Sequence, residues 1–162
     1  MVRANRVGAT TFTTPSDREI VMTRVVVAPP RLVFEAWTNP KHVPHWMLGP
    51  EGWTVPVCEI DVRPVGAWHF VWRCSDGTEM PMHAVYREVT PPERLISTES
   101  WGGIWPETLN TLILSEEDGK TAITQTVLYP SKEAGDAALQ TGMKSGVSES
   151  FDRLAEYLRR IA

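Results

Sequence analysis

The sequence is poor in cysteine, holds no long apolar run, and has no surplus of positive charge. Its two cysteines, Cys58 and Cys74, are too few to staple a chain of 162 residues. They fall on what read as separate strands, so two free thiols in a reducing compartment is the expected state. No apolar stretch approaches the roughly 18 residues that a membrane span needs. Met1 to Thr14 contains two arginines but no apolar h-region, so no secretory signal is expected and the predicted location is cytoplasmic. A net charge of −4 and a pI near 5.6 argue against nucleic acid and acidic membranes as partners, because binding phosphate needs clustered Lys and Arg. P-loop, dinucleotide, Ser-His-Asp and Cys-His patterns are missing. There is no internal repeat, low-complexity tract or linker, and 42% hydrophobic with 22% charged residues is the balance of an ordinary globular chain.

Tryptophan is what the chain has in excess, with seven residues. Core packing seldom calls for so many large rings in a domain of this length, whereas wide apolar pockets use them.

Periodicity supplies the architecture. Residues 1–17 are Thr-rich and unpatterned, which predicts a flexible tail, and residues 18–162 read as one domain. Glu19 to Ala28 alternates as a strand. After Pro29-Pro30, the residues Leu32, Val33, Ala36 and Trp37 share one face of a short helix. Asn39-Pro40 then opens a second short helix, Lys41 to Trp46. From Trp53 to Tyr129 the text is strand and turn, with Asp76-Gly77 and Asp118-Gly119 marking tight hairpins. Short turns make successive strands antiparallel neighbours. From Lys132 to Ile161, apolar residues recur every three or four positions, which predicts an amphipathic helix of about 30 residues capped by Ser131. The expected fold class is α+β. A curved antiparallel sheet of six to seven strands wraps around a long C-terminal helix, with two short helices after the first strand.

Several segments in this order resemble one family. They are Val33-Phe34-Glu35-Ala36-Trp37-Thr38-Asn39-Pro40, Trp46 with Gly49-Pro50-Glu51-Gly52-Trp53, and Asp61-Val62-Arg63-Pro64-Val65-Gly66. Residues 86–95, Tyr129-Pro130-Ser131 and residues 142–154 continue the series. Together they resemble the Hsp90-ATPase-activator-homologue (AHSA1-like) family of the START/Bet v 1-like (SRPBCC) superfamily. The resemblance implies a helix-grip fold with an internal cavity. It departs from the pattern at Leu48, which looks like an insertion, at Ala84 in place of a usual Gly, and at Val65 in place of the first Gly of a Gly-Gly turn. It also suggests a chaperone partner of the Hsp90 type. The eukaryotic co-chaperones, however, carry an additional N-terminal domain for which 162 residues leave no room.

Candidate binding residues follow from strand and helix parity. Trp68, Phe70 and Trp72 alternate on one face, with His69 opposite them and expected outside. Trp46, Trp101 and Trp105 lie in or beside loops, where a ring could gate an entrance. Met82 and Met143, with Met80, suit an adaptable apolar wall. Gly142 and Gly146 sit four apart on the predicted helix beside Met143 and Val147. A helical Gly costs about 1 kcal/mol against Ala, so the pair implies either close packing on the sheet or space for a ligand. Glu99 shares parity with Leu95 and Trp101. On an inner face it would be a desolvated acid or a polar anchor; on the outer face, an ordinary solvated carboxylate. Tyr86, with Glu88 on its parity, offers a second polar handle. His42 and His45 are three apart, but no third ligand accompanies them, so neither a metal nor any other cofactor is expected.

The leading expectation is a protein that binds a small hydrophobic or amphipathic molecule between sheet and helix, with a homodimer left open. An alternative is a cyclase, dehydratase or hydrolase-like enzyme using Glu99 and Tyr86 as catalytic acid/base groups.

Overall fold

A computed structural model of the chain describes residues 8–101 and 106–161. It contains one antiparallel sheet of eight strands: β1 (Thr11–Ser16), β2 (Glu19–Val26), β3 (Trp53–Ile60), β4 (Ala67–Cys74), β5 (Glu79–Thr90), β6 (Arg94–Ser100), β7 (Thr108–Glu117) and β8 (Lys120–Leu128). The spatial order is β1-β2-β8-β7-β6-β5-β4-β3. Each hairpin places neighbours side by side, and only the β2–β8 pairing joins strands far apart in sequence. Helix α1 (Pro30–Thr38) follows β2, and α2 (Lys132–Leu139) and α3 (Met143–Ile161) close the chain. This is the expected helix-grip α+β fold, with α3 lying across the concave face. No helix among the described residues is long and apolar enough to cross a membrane.

The core forms where inward residues of the sheet meet α1 and α3. Ile20, Met22, Leu112, Ile123, Leu154 and Leu158 are all nearly inaccessible, and each such burial contributes about 1.5–3 kcal/mol. A smaller cluster of Val55, Phe70, Trp72 and Met82 fills the β3–β4–β5 end. Ser131 accepts a hydrogen bond from the Ala134 N–H at 3.1 Å and caps α2 as its sequence position implied.

Four expectations need correction. The strand count is eight, because Thr11–Ser16, assigned to the flexible tail 1–17, pairs with β2 through Thr11↔Thr23 and Phe12↔Met22. The open edge of β2 demands a partner for its backbone groups, and Phe12 packs on the core as it supplies one. The second short helix is only a 3₁₀ turn over Val43–His45. The single C-terminal helix is two helices, broken at residues 140–142, with Gly142 in the left-handed region at φ +80. Gly142 therefore lies between the helices, where a residue without Cβ takes this backbone at no steric cost. Finally, the pairing of β5 with β6 shifts register between Tyr86 and Glu88. This bulge turns Glu88 outward to Arg94 at 3.4 Å, so Tyr86 and Glu88 do not share a face.

The Arg63–Gly66 turn stores strain. Val65 is 80% exposed and adopts φ +66, a region costly for a β-branched residue. Its neighbour must be glycine, since a Cβ at Gly66 would lie 2.1 Å from the Asp61 carbonyl oxygen. Val65→Gly is expected to raise stability by about 1 kcal/mol in urea unfolding, because it relieves the left-handed strain without removing buried surface.

Candidate functional site

Between the sheet and the C-terminal helices lies a cavity of about 520 Å³. Six of the seven tryptophans line it; Trp105 lies outside the described residues. Strand alternation builds one wall. Trp68, Phe70 and Trp72 all point inward from β4, with ring centroids 4.6 Å and 5.4 Å apart in edge-to-face contact. Trp101 extends the wall by stacking on Trp72 at 5.1 Å. His69 faces outward and stacks on His83.

Backbone contacts hold several rings in place. Trp72 donates from its indole N–H to the Met47 carbonyl at 2.9 Å. Trp46 is fully buried and donates to the Ala36 carbonyl at 2.9 Å, so it is a fixed wall residue and not a gate. The indole N–H of Trp68 is buried with no partner among the described residues, a costly state for a donor.

Residues 49–50 form the rim and are clamped to α3. The Gly49 N–H donates to the Ser150 hydroxyl at 2.8 Å, and Arg153 donates to the Gly49 carbonyl at 2.6 Å. Pro50 closes the clamp: a Cβ on Gly146 would sit 3.3 Å from the Pro50 ring. Gly146 thus serves close packing, here against a loop and not the sheet, while its surface also lines the cavity. Gly142, Met143 and Val147 lie beside it on the same wall, and Met82 faces them from β5.

The polar content of the cavity comes from adjacent strands. Cross-strand pairing sets Trp68, Ala84, Glu99 and Thr108 in one row, and Tyr86, Ser97 and Asn110 in the next. Asn110 donates to the Thr108 hydroxyl at 2.9 Å. Glu99 faces the cavity, and burial raises its carboxyl from 4.5 to about 7, opposed only by a hydrogen bond from the Trp101 side chain. Tyr129, at the end of β8, is pushed up to about 12 by burial and by Glu99. Burial, with Cys58 and Glu99 nearby, raises Tyr86 further still. Both phenols stay protonated and offer neutral hydrogen bonds.

The structure brings Tyr86, Phe70 and Trp72 together at the cavity, and it sets Glu99, whose face parity had left open, on the same lining. Ser97, Thr108, Asn110 and Tyr129 escaped notice. Their signal was a polar residue on the parity of buried neighbours: Asn110 alternates with Leu112 and Leu114.

His42 and His45 do not form a site with the cavity. Both engage Tyr157, His42 by a hydrogen bond through Nδ1 and His45 by stacking at 5.0 Å. Cys58 and Cys74 are free thiols; burial and the nearby Glu59 push Cys58 up to about 11.

A sheet gripping a helix over a lined cavity defines the helix-grip class. Within that class, the chain belongs to the family of activator of Hsp90 ATPase homolog 1-like proteins, whose pattern matches residues 27–159. A solved protein from Rhodobacter sphaeroides is similar at 26% identity and TM-score 0.90, over 94% of this chain and 99% of the other. One from Nitrosomonas europaea is similar at 22% identity and TM-score 0.82, over 91% and 98%. An AHSA1-like protein from Aeromonas hydrophila shares the fold at 16% identity and TM-score 0.69, over 87% and 93%. No protein of curated function matches the sequence.

Glu99 makes stability depend on pH. A carboxyl raised from 4.5 to about 7 on folding carries no penalty below its unfolded pKa. The penalty grows between the two values and is complete above the folded one, at most about 3 kcal/mol. Glu99→Gln is therefore expected to stabilise the fold by about 1–3 kcal/mol at pH 8 and by less than about 1 kcal/mol at pH 5, measured by urea unfolding at both pH values.

Proposed function

We propose that the protein binds a small, largely apolar molecule in the cavity beneath α3. The observation that carries this reading is the cavity itself: about 520 Å³, walled by aromatic rings, with one polar strip that includes a buried carboxylate. Protein cores normally close such spaces, because an unfilled void forfeits dispersion contacts. A ligand burying roughly 200 Å² of apolar surface would gain about 5 kcal/mol before the costs of association. Glu99, Tyr86 and Asn110 would orient its polar end. The free thiols of Cys58 and Cys74 are consistent with a reducing, cytoplasmic setting.

A second reading has a specific observation in its favour. Glu99 titrates near neutrality, where a general acid or base works best, and the hydroxyls of Tyr86 and Tyr129 line the same cavity. Turnover of the bound molecule would then depend on Glu99, and Glu99→Gln would abolish turnover while leaving the apolar contacts intact. The family description also names Hsp90; an Hsp90 ATPase rate unchanged by this protein would dismiss that role.

Binding can be tested with N-phenyl-1-naphthylamine, whose fluorescence rises in apolar surroundings. Saturable enhancement is expected with the wild type. Val147→Trp should lower the affinity about tenfold or more with unchanged far-UV circular dichroism, because an indole at this helix position fills the cavity. Equal affinity in the two proteins would place the probe elsewhere and count against the reading.

A further inference from the structure

We infer that the occupant of this cavity is a lipophilic cation, an amine or ammonium on an aromatic or aliphatic body, held with its charge against Glu99. The inference rests on the cavity-binding reading above and adds the sign of the ligand's charge.

Three observations carry it. The first is the charge inventory of the walls. Among the described residues, Glu99 is the one acidic side chain lining the cavity, and no Lys, Arg or His lines it. The undescribed residues between Trp101 and Pro106 carry no ionisable side chain either. Arg153, which touches the rim, is committed to the Gly49 carbonyl at 2.6 Å, Arg24 pairs with Asp152 at 2.6 Å, and Lys144 lies over the Phe12 ring. A fatty acid, phospholipid or other anion would find no counter-charge here and would lie in the same apolar space as a carboxylate.

The second is the position of Glu99 in the sheet. It lies between Ala84 on β5 and Thr108 on β7 in the cross-strand row that includes Trp68 on β4. Ala84 is small, so the inner side of this row is open beside the carboxylate. Thr108, Asn110, Tyr86 and Tyr129 around it are all neutral. An ionised carboxylate so enclosed needs a partner of opposite charge, and none of the described residues lining the cavity supplies one.

The third is the composition of the remaining wall. Trp68, Trp72, Trp101 and Tyr86 present ring faces and edges to the same space. Aromatic faces attract organic cations, most strongly where water is excluded. Carboxylate and rings together form a receptor for an ammonium on an apolar body.

The test is calorimetric titration at pH 8 with three probes of one shape: 2-(2-naphthyl)ethylamine, 2-(2-naphthyl)ethanol and 2-naphthylacetate. The amine is expected to bind about tenfold or more tightly than the alcohol, and the acid most weakly. Glu99→Gln should abolish the advantage of the amine over the alcohol, bringing the two affinities within about twofold of each other. Should the variant fail to fold, the wild-type order of the three probes decides by itself. An alcohol or acid that binds as tightly as the amine overturns the cationic preference and leaves the cavity reading standing. An amine advantage that survives in Glu99→Gln also overturns it. No binding by any of the three overturns both.

Discussion

The concave face of an eight-stranded sheet presents more apolar surface than one helix can cover. Everything distinctive in this protein follows from how that excess is managed. Leu154, Leu158 and Phe151 of α3 pack onto the sheet and are almost wholly buried. Nearer the N-terminal end of α3, the helix presents Gly146, Val147 and Ser150, side chains too small to reach the opposite wall. The space left over is the cavity, and large rings from α1, β4 and the connecting loops line it instead of filling it.

Two local devices keep the space open. Gly142, with φ +80, breaks the C-terminal segment so that α2 and α3 need not continue one axis. Gly146 lets the Gly49–Pro50 rim approach the α3 backbone, and the bonds to Ser150 and Arg153 secure it. The helix is therefore held by its edges while its inner face stays clear. Glu99 lies within the cleared volume at a cost to stability, and the indole N–H of Trp68 is buried nearby without a partner among the described residues. A desolvated carboxyl and an unpaired indole donor beside one cavity are the mark of a site shaped for something other than stability.

Much of this was legible in advance. Element order and strand turns specify the helix-grip arrangement because short hairpin connections permit only antiparallel neighbours. Alternation on β4 assigned Trp68, Phe70 and Trp72 to one face; parity tied Glu99 to Leu95 but left their face open, and the burial of Leu95 in the structure makes it the inner one. Other features were not legible. Thr11–Ser16 carries no strand pattern of its own and becomes a strand because the edge of β2 needs a partner. Glu88 and Tyr86 keep the same parity in the text, yet the intervening bulge separates them. The two helix glycines look equivalent in sequence, but one supplies a left-handed backbone and the other a close approach.

The sequence by itself determined the class of fold, the aromatic wealth of the interior and the presence of a lone acid among neutral strand residues. These depend on local period, composition and turn chemistry, which each segment carries wherever it is placed. Only the tertiary structure decided that the acid faces a cavity, that Ser97, Thr108, Asn110 and Tyr129 share that cavity, and that no basic side chain among the described residues lines it. Those facts depend on the register between strands distant in sequence and on where α3 comes to rest. A single-residue slip in register would have turned the carboxylate out to water.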